Sequence, residues 1–354
     1  EDIEELAQFT NIRSVAVYGG IGWTKHAEMI VPGIDILVAT PGRLLDLYQH
    51  NVLSLKKVKI LVIDEADRML DMGFLPQLKS IFDILPMRKQ NLLFSATFNE
   101  KVETIAAEFL DFPVRVEVAP SATPVEMVKQ MVYHVPNFKT KLNLVSYLLS
   151  DVENFKKVLI FCKTKVSAEE VFKVIKSRSD GEKRILHSNK GQSSRINSIS
   201  AFKNDEVRIL ISTDVSARGI DASKVTHVIN FDVPTNYDDY IHRIGRTARA
   251  GNHGVAITML DPSEEWHFLN IEKIIRMSVP VYEVPVEVEF GDYGTYEQKD
   301  QLREIDRQKR IDDPTFKGAF HEKKRKLHKD TRSYNDRFVK KESTQAKKKR
   351  RLKP

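Results

Sequence analysis

Cysteine is nearly absent from this sequence. The single residue Cys162 excludes an intrachain disulfide, and no Cys/His cluster has the spacing of metal ligands. That usage fits a reducing compartment. Long apolar runs are missing as well: none approaches the roughly 20 residues that cross a bilayer. The first residues, Glu1 to Leu6, are acidic where a secretory signal is basic, so a cytoplasmic chain with no membrane partner is expected. No initiator Met opens the sequence, which reads as a cut rather than a natural start.

What is present is enough for two domains: 354 residues, 41% of them hydrophobic. The formal net charge is +7. Residues His321 to Pro354 alone hold 15 basic and 4 acidic side chains, a surplus of 11, so the other 320 residues sum to −4. A basic surplus confined to the tail suggests an electrostatic anchor for a polyanion such as nucleic acid. A solvated, solubilising tail is the alternative.

Short runs rich in Val, Ile and Leu recur at Ser14–Tyr18, Ile36–Ala39, Ile60–Ile63, Leu92–Phe94, Val158–Phe161, Arg208–Ile211, Val228–Phe231 and Val255–Met259. They read as buried strands. Helical patterns lie between them, among them Asn99–Leu110 and Ser167–Lys176, the latter with Ser167 and Glu170 at capping-box spacing. This alternation implies α/β architecture with parallel sheets. Pro120–Pro124 interrupts it and reads as a linker. The expected organisation is a first lobe over 1–119, a linker over 120–124, a second lobe over 125–285 and a charged basic tail over 286–354. A helix near Tyr296–Arg310 is expected in that tail, which is otherwise expected to be disordered.

In open parallel sheets ligands bind beyond the carboxyl ends of the strands. Here those ends are polar: Thr40-Pro41-Gly42-Arg43, Asp64-Glu65-Ala66-Asp67, Ser95-Ala96-Thr97, Cys162-Lys163-Thr164 and Ser212-Thr213-Asp214. Any one could be an ordinary turn. Five together suggest one functional edge. Ile60-Leu61-Val62-Ile63-Asp64-Glu65 has the layout of a Walker B strand, whose carboxylates can hold Mg²⁺ through water and orient an attacking water. Asp64 as a simple helix cap is the competing reading. In Tyr240–Arg249, the residues His242, Arg246 and Arg249 share a face if the segment is helical, and could present guanidinium groups to a phosphate. A solvated basic face would need no such role.

The order Gly19-Gly20, Thr40–Arg43, Asp64–Asp67, Ser95–Thr97, Thr213-Asp214 to Asp221 and His242–Arg249 resembles the DEAD-box ATP-dependent RNA helicases, over about Glu1–Pro285. The segments Leu302–Gln308 and Phe316–Phe320 resemble the bacterial RhlE-type branch. The resemblance implies two RecA-like parallel-sheet lobes, the first incomplete, that close over ATP, Mg²⁺ and RNA. It gives Asp64 the magnesium ion, through water, and Glu65 the attacking water. Arg246 and Arg249 would reach the γ-phosphate and Asp221 the ribose. Asp67, Ser95, Thr97 and His242 would couple the nucleotide to closure. Gly20, Thr40, Arg43, Thr164, Gln192, Arg195 and Thr213 would hold the RNA backbone with little sequence preference.

One departure matters. The family's adenine-reading Gln segment, its Gly-Lys-Thr phosphate loop and its Pro-Thr-Arg-Glu-Leu-Ala strand end are absent, and Glu4-Glu5-Leu6-Ala7 does not replace the last. The first lobe is therefore expected to expose sheet edges and part of its core. A fragment that binds RNA through the second lobe and tail without ATPase activity is the alternative to a helicase.

Overall fold

In the computed structural model the described residues are 2–98, 100–117, 127–214, 225–247, 254–294 and 296–316. The linker at 120–124, the tail beyond 316, Asp221 and Arg249 lie outside them.

The chain begins with a short helix α1 (Asp2–Ala7), then alternates β1 (Ser14–Val17), α2 (Trp23–Ile30), β2 (Ile36–Ala39), α3 (Pro41–Gln49) and β3 (Ile60–Ile63). It continues through α4 (Ala66–Asp71), α5 (Leu75–Ile84), β4 (Gln90–Leu93) and α6 (Glu100–Phe109). Pro41 sits in the first turn of α3, where its missing N–H costs nothing. β1 pairs in parallel with β2, and β3 with β4, but among the described residues no ladder joins the two pairs. Apolar side chains on these strands stand open: Val38, Ile60, Val62 and Phe94 are 49%, 57%, 53% and 54% exposed. The expected exposure of the first lobe's sheet and core is thus observed.

The second half carries one parallel sheet of seven strands, ordered β11-β5-β10-β9-β6-β8-β7. Its elements are β5 (Val128–His134), α7 (Phe138–Ser150), β6 (Val158–Cys162), α8 (Lys165–Arg178), β7 (Lys183–Leu186) and α9 (Gln192–Lys203), followed by β8 (Ile209–Thr213) and β9 (His227–Asn230). After these come α10 (Asp238–Ile244), β10 (Gly254–Leu260), α11 (Glu265–Ile275) and β11 (Val281–Tyr282). Every residue of β6 is buried, as expected where helices cover both faces. Ile160 and Cys162 face α7 and α8 with Leu144, Leu149 and Val171. Leu159 and Phe161 face the opposite way, onto Phe202 of α9. The period of two along β6 therefore divides the core into two layers.

Four elements depart from expectation. Strands β5, β7 and β11 were not evident, because VKQMVYH mixes polar residues, KRIL has only two apolar ones and Val281–Tyr282 is only two residues long. The second-lobe helix expected from Ser167 starts at Lys165, capped by Thr164, whose Oγ1 accepts from Ser167 N at 3.0 Å. The extended backbone of Thr164 is what leaves that oxygen free to cap.

The helix expected near Tyr296–Arg310 is present as α12 (Glu297–Asp312), docked on the second sheet. Gln301 Nε2 donates to Pro136 O at 3.1 Å, Gln308 Nε2 donates to Ser263 O at 2.7 Å, and Asp312 accepts from the Trp266 indole at 2.6 Å. Polar side chains, rather than an apolar stripe, dock this helix. No helix of the described residues is long and apolar enough to cross a membrane.

Candidate functional site

The carboxyl end of β3 leads into Asp64, Glu65, Ala66 and Asp67. Glu65 sits in the left-handed region, φ 50° and ψ 48°, at the N-cap of α4 without making a side-chain cap. A non-glycine residue held there stores backbone strain, which is common where a side chain must be aimed. Asp64 is exposed and one of its oxygens takes the Glu65 N–H at 2.8 Å. It does not cap the helix, so that competing reading of Asp64 fails.

Asp67 is buried and ties the ends of two strands together. Its Oδ2 accepts from Thr97 N at 3.0 Å and Thr97 Oγ1 at 2.9 Å. The Asp67 N–H donates to Ser95 Oγ at 3.2 Å, and that hydroxyl donates to Thr97 O at 2.7 Å. His242 Nε2, from α10 of the other half, lies 3.9 Å from the same Asp67 Oδ2. Asp67, Ser95, Thr97 and His242 thus form one cluster across the two halves.

Helix α10 ends at Ile244, with Gly245 as its C-cap, so helical register does not put Arg246 on the face of His242. A turn does so instead: Arg246 N donates to Arg243 O at 3.1 Å and Arg246 Nε donates to His242 O at 3.3 Å. Arg68, Asp214, Asp239, His242, Arg243 and Arg246 line a cavity of about 10 Å³, room for no more than one water.

Several residues in this region escaped the sequence reading. Arg243 is buried and grips Asp214 with two nitrogens, Nε at 2.6 Å and Nη2 at 2.8 Å, while its Nη1 donates to Asn230 Oδ1 and Asp232 O. Its guanidinium also stands 5.1 Å from the Phe161 ring. The available signal was spacing: Tyr240, Arg243 and Ile244 share the buried face of α10. Arg68 Nη2 reaches Asp239 across the halves at 3.1 Å, and Asn236 Nδ2 donates to Asp71 at 2.6 Å. No local pattern marks these pairs.

Beneath the second sheet's edge lies a buried charge cluster. Lys141 Nζ meets Glu264 at 2.5 Å, Asp261 at 3.2 Å and Asp232 at 3.6 Å. Burial alone would lower the Lys141 pKa, but the three carboxylates hold it above its usual range. Burial pushes the Glu264 carboxyl up to about 7, helped by Asp261 and Asp232 and opposed by Lys141. Asp232 in turn accepts the Lys163 N–H at 2.8 Å, so this cluster anchors the turn that leads to Thr164.

The residues assigned to RNA fall in several places. Gly20, at φ 87°, lies so close to Gln192 that a Cβ would stand 3.1 Å from Gln192 Cβ, across the two halves. Gln192 accepts from Arg195 Nη1 at 3.1 Å, and the buried Arg195 Nε has no hydrogen-bond partner. Thr213 ends β8. Thr40 precedes α3 as its N-cap and makes no side-chain cap. Arg43 is engaged locally: Nε donates to Tyr18 O, Nη2 to Ile21 O and Nη1 to Asp46, which shapes the Gly19-Gly20 turn.

Two family models match the chain: the DEAD/DEAH box helicase model over residues 1–105 and the helicase conserved C-terminal domain over 140–251. The DEAD-box ATP-dependent RNA helicase RhpA of Helicobacter pylori is 39% identical over 285 residues, 80% of this chain and 57% of RhpA. The chain thus spans somewhat over half the length of that relative. The ATP-dependent RNA helicase RhlB of Shewanella denitrificans is 34% identical over 83% of this chain and 68% of its own. Among solved structures, S. cerevisiae Dbp5 bound to RNA and ADP BeF3 gives a TM-score of 0.69 at 30% identity, covering 80% of this chain and 73% of Dbp5. Mss116p bound to ssRNA and AMP-PNP gives 0.70 at 26% identity, covering 86% and 63%.

Proposed function

Because the chain belongs to the DEAD-box family of ATP-dependent RNA helicases, we propose that its work is ATP-coupled local unwinding or remodelling of RNA duplexes. Its fold is the RecA-like helicase α/β fold with parallel sheets. The observation that carries the proposal is the cluster at Asp67, which links the strand end bearing Asp64 and Glu65 to Thr97 and to His242 of the second lobe. A nucleotide that favours this junction favours the closed lobes, and RNA that spans both lobes favours the same state.

Magnesium fits the residues at hand. The ion keeps most of its waters and takes one or two carboxylates plus phosphates. An exposed carboxylate such as Asp64 suits that role, whereas no group of three or more His, Cys, Asp or Glu among the described residues could hold a metal unaided. When bound with ATP, the ion would neutralise phosphate charge. In this reading Glu65 orients or activates the attacking water. Arg246 and Arg249 spread the charge of the transferring phosphoryl group, and Asp221 meets the ribose. Ser95, Thr97, Asp67 and His242 transmit closure. Gly20, Thr40 and Arg43 hold the RNA backbone from the first lobe; Thr164, Gln192, Arg195 and Thr213 hold it from the second. The division into lobes at 1–119 and 125–285 belongs to the same reading, as does placement in the RhlE-type branch, which rests on the sequence of Leu302–Gln308 and Phe316–Phe320.

The test joins the chain to a segment carrying a Gly-Lys-Thr phosphate loop. Glu65→Gln in that protein should slow RNA-stimulated ATP hydrolysis by at least about 100-fold with RNA affinity retained. Unchanged turnover would remove Glu65 from its role. A second reading is an RNA clamp without hydrolysis, held by Thr164, Gln192, Arg195 and Thr213 of the second lobe. It would prevail if the joined protein bound RNA but neither hydrolysed ATP nor unwound a duplex.

A further inference from the structure

Helix α12 separates its charges. The residues Glu297, Gln301, Glu304, Gln308 and Asp312, spaced four, three, four and four apart, form the docking face. Glu297 takes the Phe138 N–H, Gln301 and Gln308 hold backbone carbonyls, Glu304 lies 3.8 Å from His267 Nε2, and Asp312 takes the Trp266 indole. The opposite face carries Lys299, Arg303, Arg307 and Arg310 at steps of four, four and three, all exposed, with the buried Asp306 set between Arg303 and Arg310. Lys309 is turned aside, over the ring of Phe316 at 5.5 Å. Arg303 pairs with Asp300 at 3.0 Å and Arg307 with Glu304 at 3.5 Å. Such exposed pairs are weak, so a phosphate can replace the carboxylate.

The placement of this stripe is informative. Along the second sheet, the residues assigned to RNA follow β7 (Gln192, Arg195), end β8 (Thr213) and follow β6 (Thr164). Next in order come β9, β10 and β5, and α12 crosses the exits of the last two, at Ser263 and Pro136. Lys163, beside Thr164, is fixed through its N–H to Asp232 at the β9 exit. Burial and the charges of Lys163 and Arg307 lower the His267 pKa, against the pull of Glu304, so both cations lie near that ring. The cationic face of α12 therefore lies along the same edge of the sheet as those strand exits.

We propose that the Lys299, Arg303, Arg307 and Arg310 face of α12 is an RNA-binding surface that takes the phosphate backbone of the strand flanking the segment held at the ends of β7, β8 and β6. This rests on the RNA-binding reading above and adds a site to it. Binding there is sequence-independent and salt-sensitive, since the four cations meet phosphates rather than base edges.

The test uses the full chain and fluorescein-labelled oligouridylates of about 6 and about 20 nucleotides, the shorter able to fill only the strand-end track. The triple variant Lys299→Gln, Arg303→Gln, Arg307→Gln keeps helix-favouring side chains and leaves the docking face intact. It should weaken the longer oligomer about 10-fold at low salt, leave the shorter one unchanged, and flatten the log-affinity against log-salt slope by about 2. Asp300→Asn, which frees Arg303, should tighten the longer oligomer. Unchanged affinity and slope for the longer oligomer would overturn the proposal, including the case where the face serves an acidic protein instead. Arg195→Gln separates the two readings: if it weakens both oligomers while the triple variant does nothing, only the α12 site fails. If neither variant alters binding, RNA recognition by the second lobe fails with it.

Discussion

Strands β3 and β6 have nearly the same composition, ILVI and VLIFC, and opposite fates. Ile160 of β6 is completely buried, whereas Val62 of β3 is 53% exposed. β6 lies inside a seven-stranded sheet with helices on both faces, and β3 belongs to a two-stranded pair. Apolar composition makes a strand, but burial is a property of the completed sheet. The first half of the chain carries its polar strand ends on two-stranded ladders; the second carries them on one seven-stranded sheet.

The sharpest way to break this contrast is to attack the second half at a point with no counterpart in the first. Lys141→Ala would leave Glu264, Asp261 and Asp232 without their buried cation, and should cost about 3–5 kcal/mol. Denaturation of the Trp23→Phe background, followed by Trp266 fluorescence, reads that half alone. A loss below about 1 kcal/mol would show the cluster to be dispensable. Next in size, Ile160→Ala should cost about 2–5 kcal/mol while Val62→Ala stays within about 0.5 kcal/mol. Equal costs would show that β3 is covered in solution. Limited proteolysis gives a coarser version: cuts within 2–117 should precede any within 127–312, and the absence of a protected second-half fragment would contradict the contrast.

A smaller effect lies at the far end of the second sheet. Burial lowers the His227 pKa to about 4, against a weak opposing pull from Asp151, and the ring stacks on Phe155 at 4.1 Å between centroids. The folded pKa lies below the unfolded one, so the unfolded state binds the extra proton. Stability from this group is complete above pH 6.5 and declines as pH falls towards 4. Because the ring is partly solvated, the loss should be on the order of 1 kcal/mol, and His227→Gln should flatten stability between pH 6.5 and 5. The smallest expected change is at the junction: Asn236→Ala removes one exposed bond to Asp71 and should alter stability by less than about 1 kcal/mol.

The legibility of the site follows the same division. Asp64, Glu65 and Asp67 were visible because a carboxylate after an apolar run is conspicuous, and the cluster of Asp67 with Thr97 follows from two adjacent strand ends. Arg243 was passed over because its role needs Asp214 and Asn230 on other strands, although its spacing from Tyr240 marked a buried face. Arg68, Asp71, Asn236 and Asp239 carried no signal, since each pair forms only when two distant segments meet. Thr164 stood out as polar, yet its capping of α8 depends on backbone angles that the residue name does not encode.

By itself the sequence determined the α/β class, eight of the strands, the order of polar strand ends and the family resemblance, because periodicity and short motifs are local. Tertiary structure alone decided that β1–β2 and β3–β4 form separate pairs among the described residues, that Lys141 gathers three carboxylates, and that α12 docks through polar side chains. Those outcomes depend on which distant backbone groups need a partner, and hydropathy does not record that need.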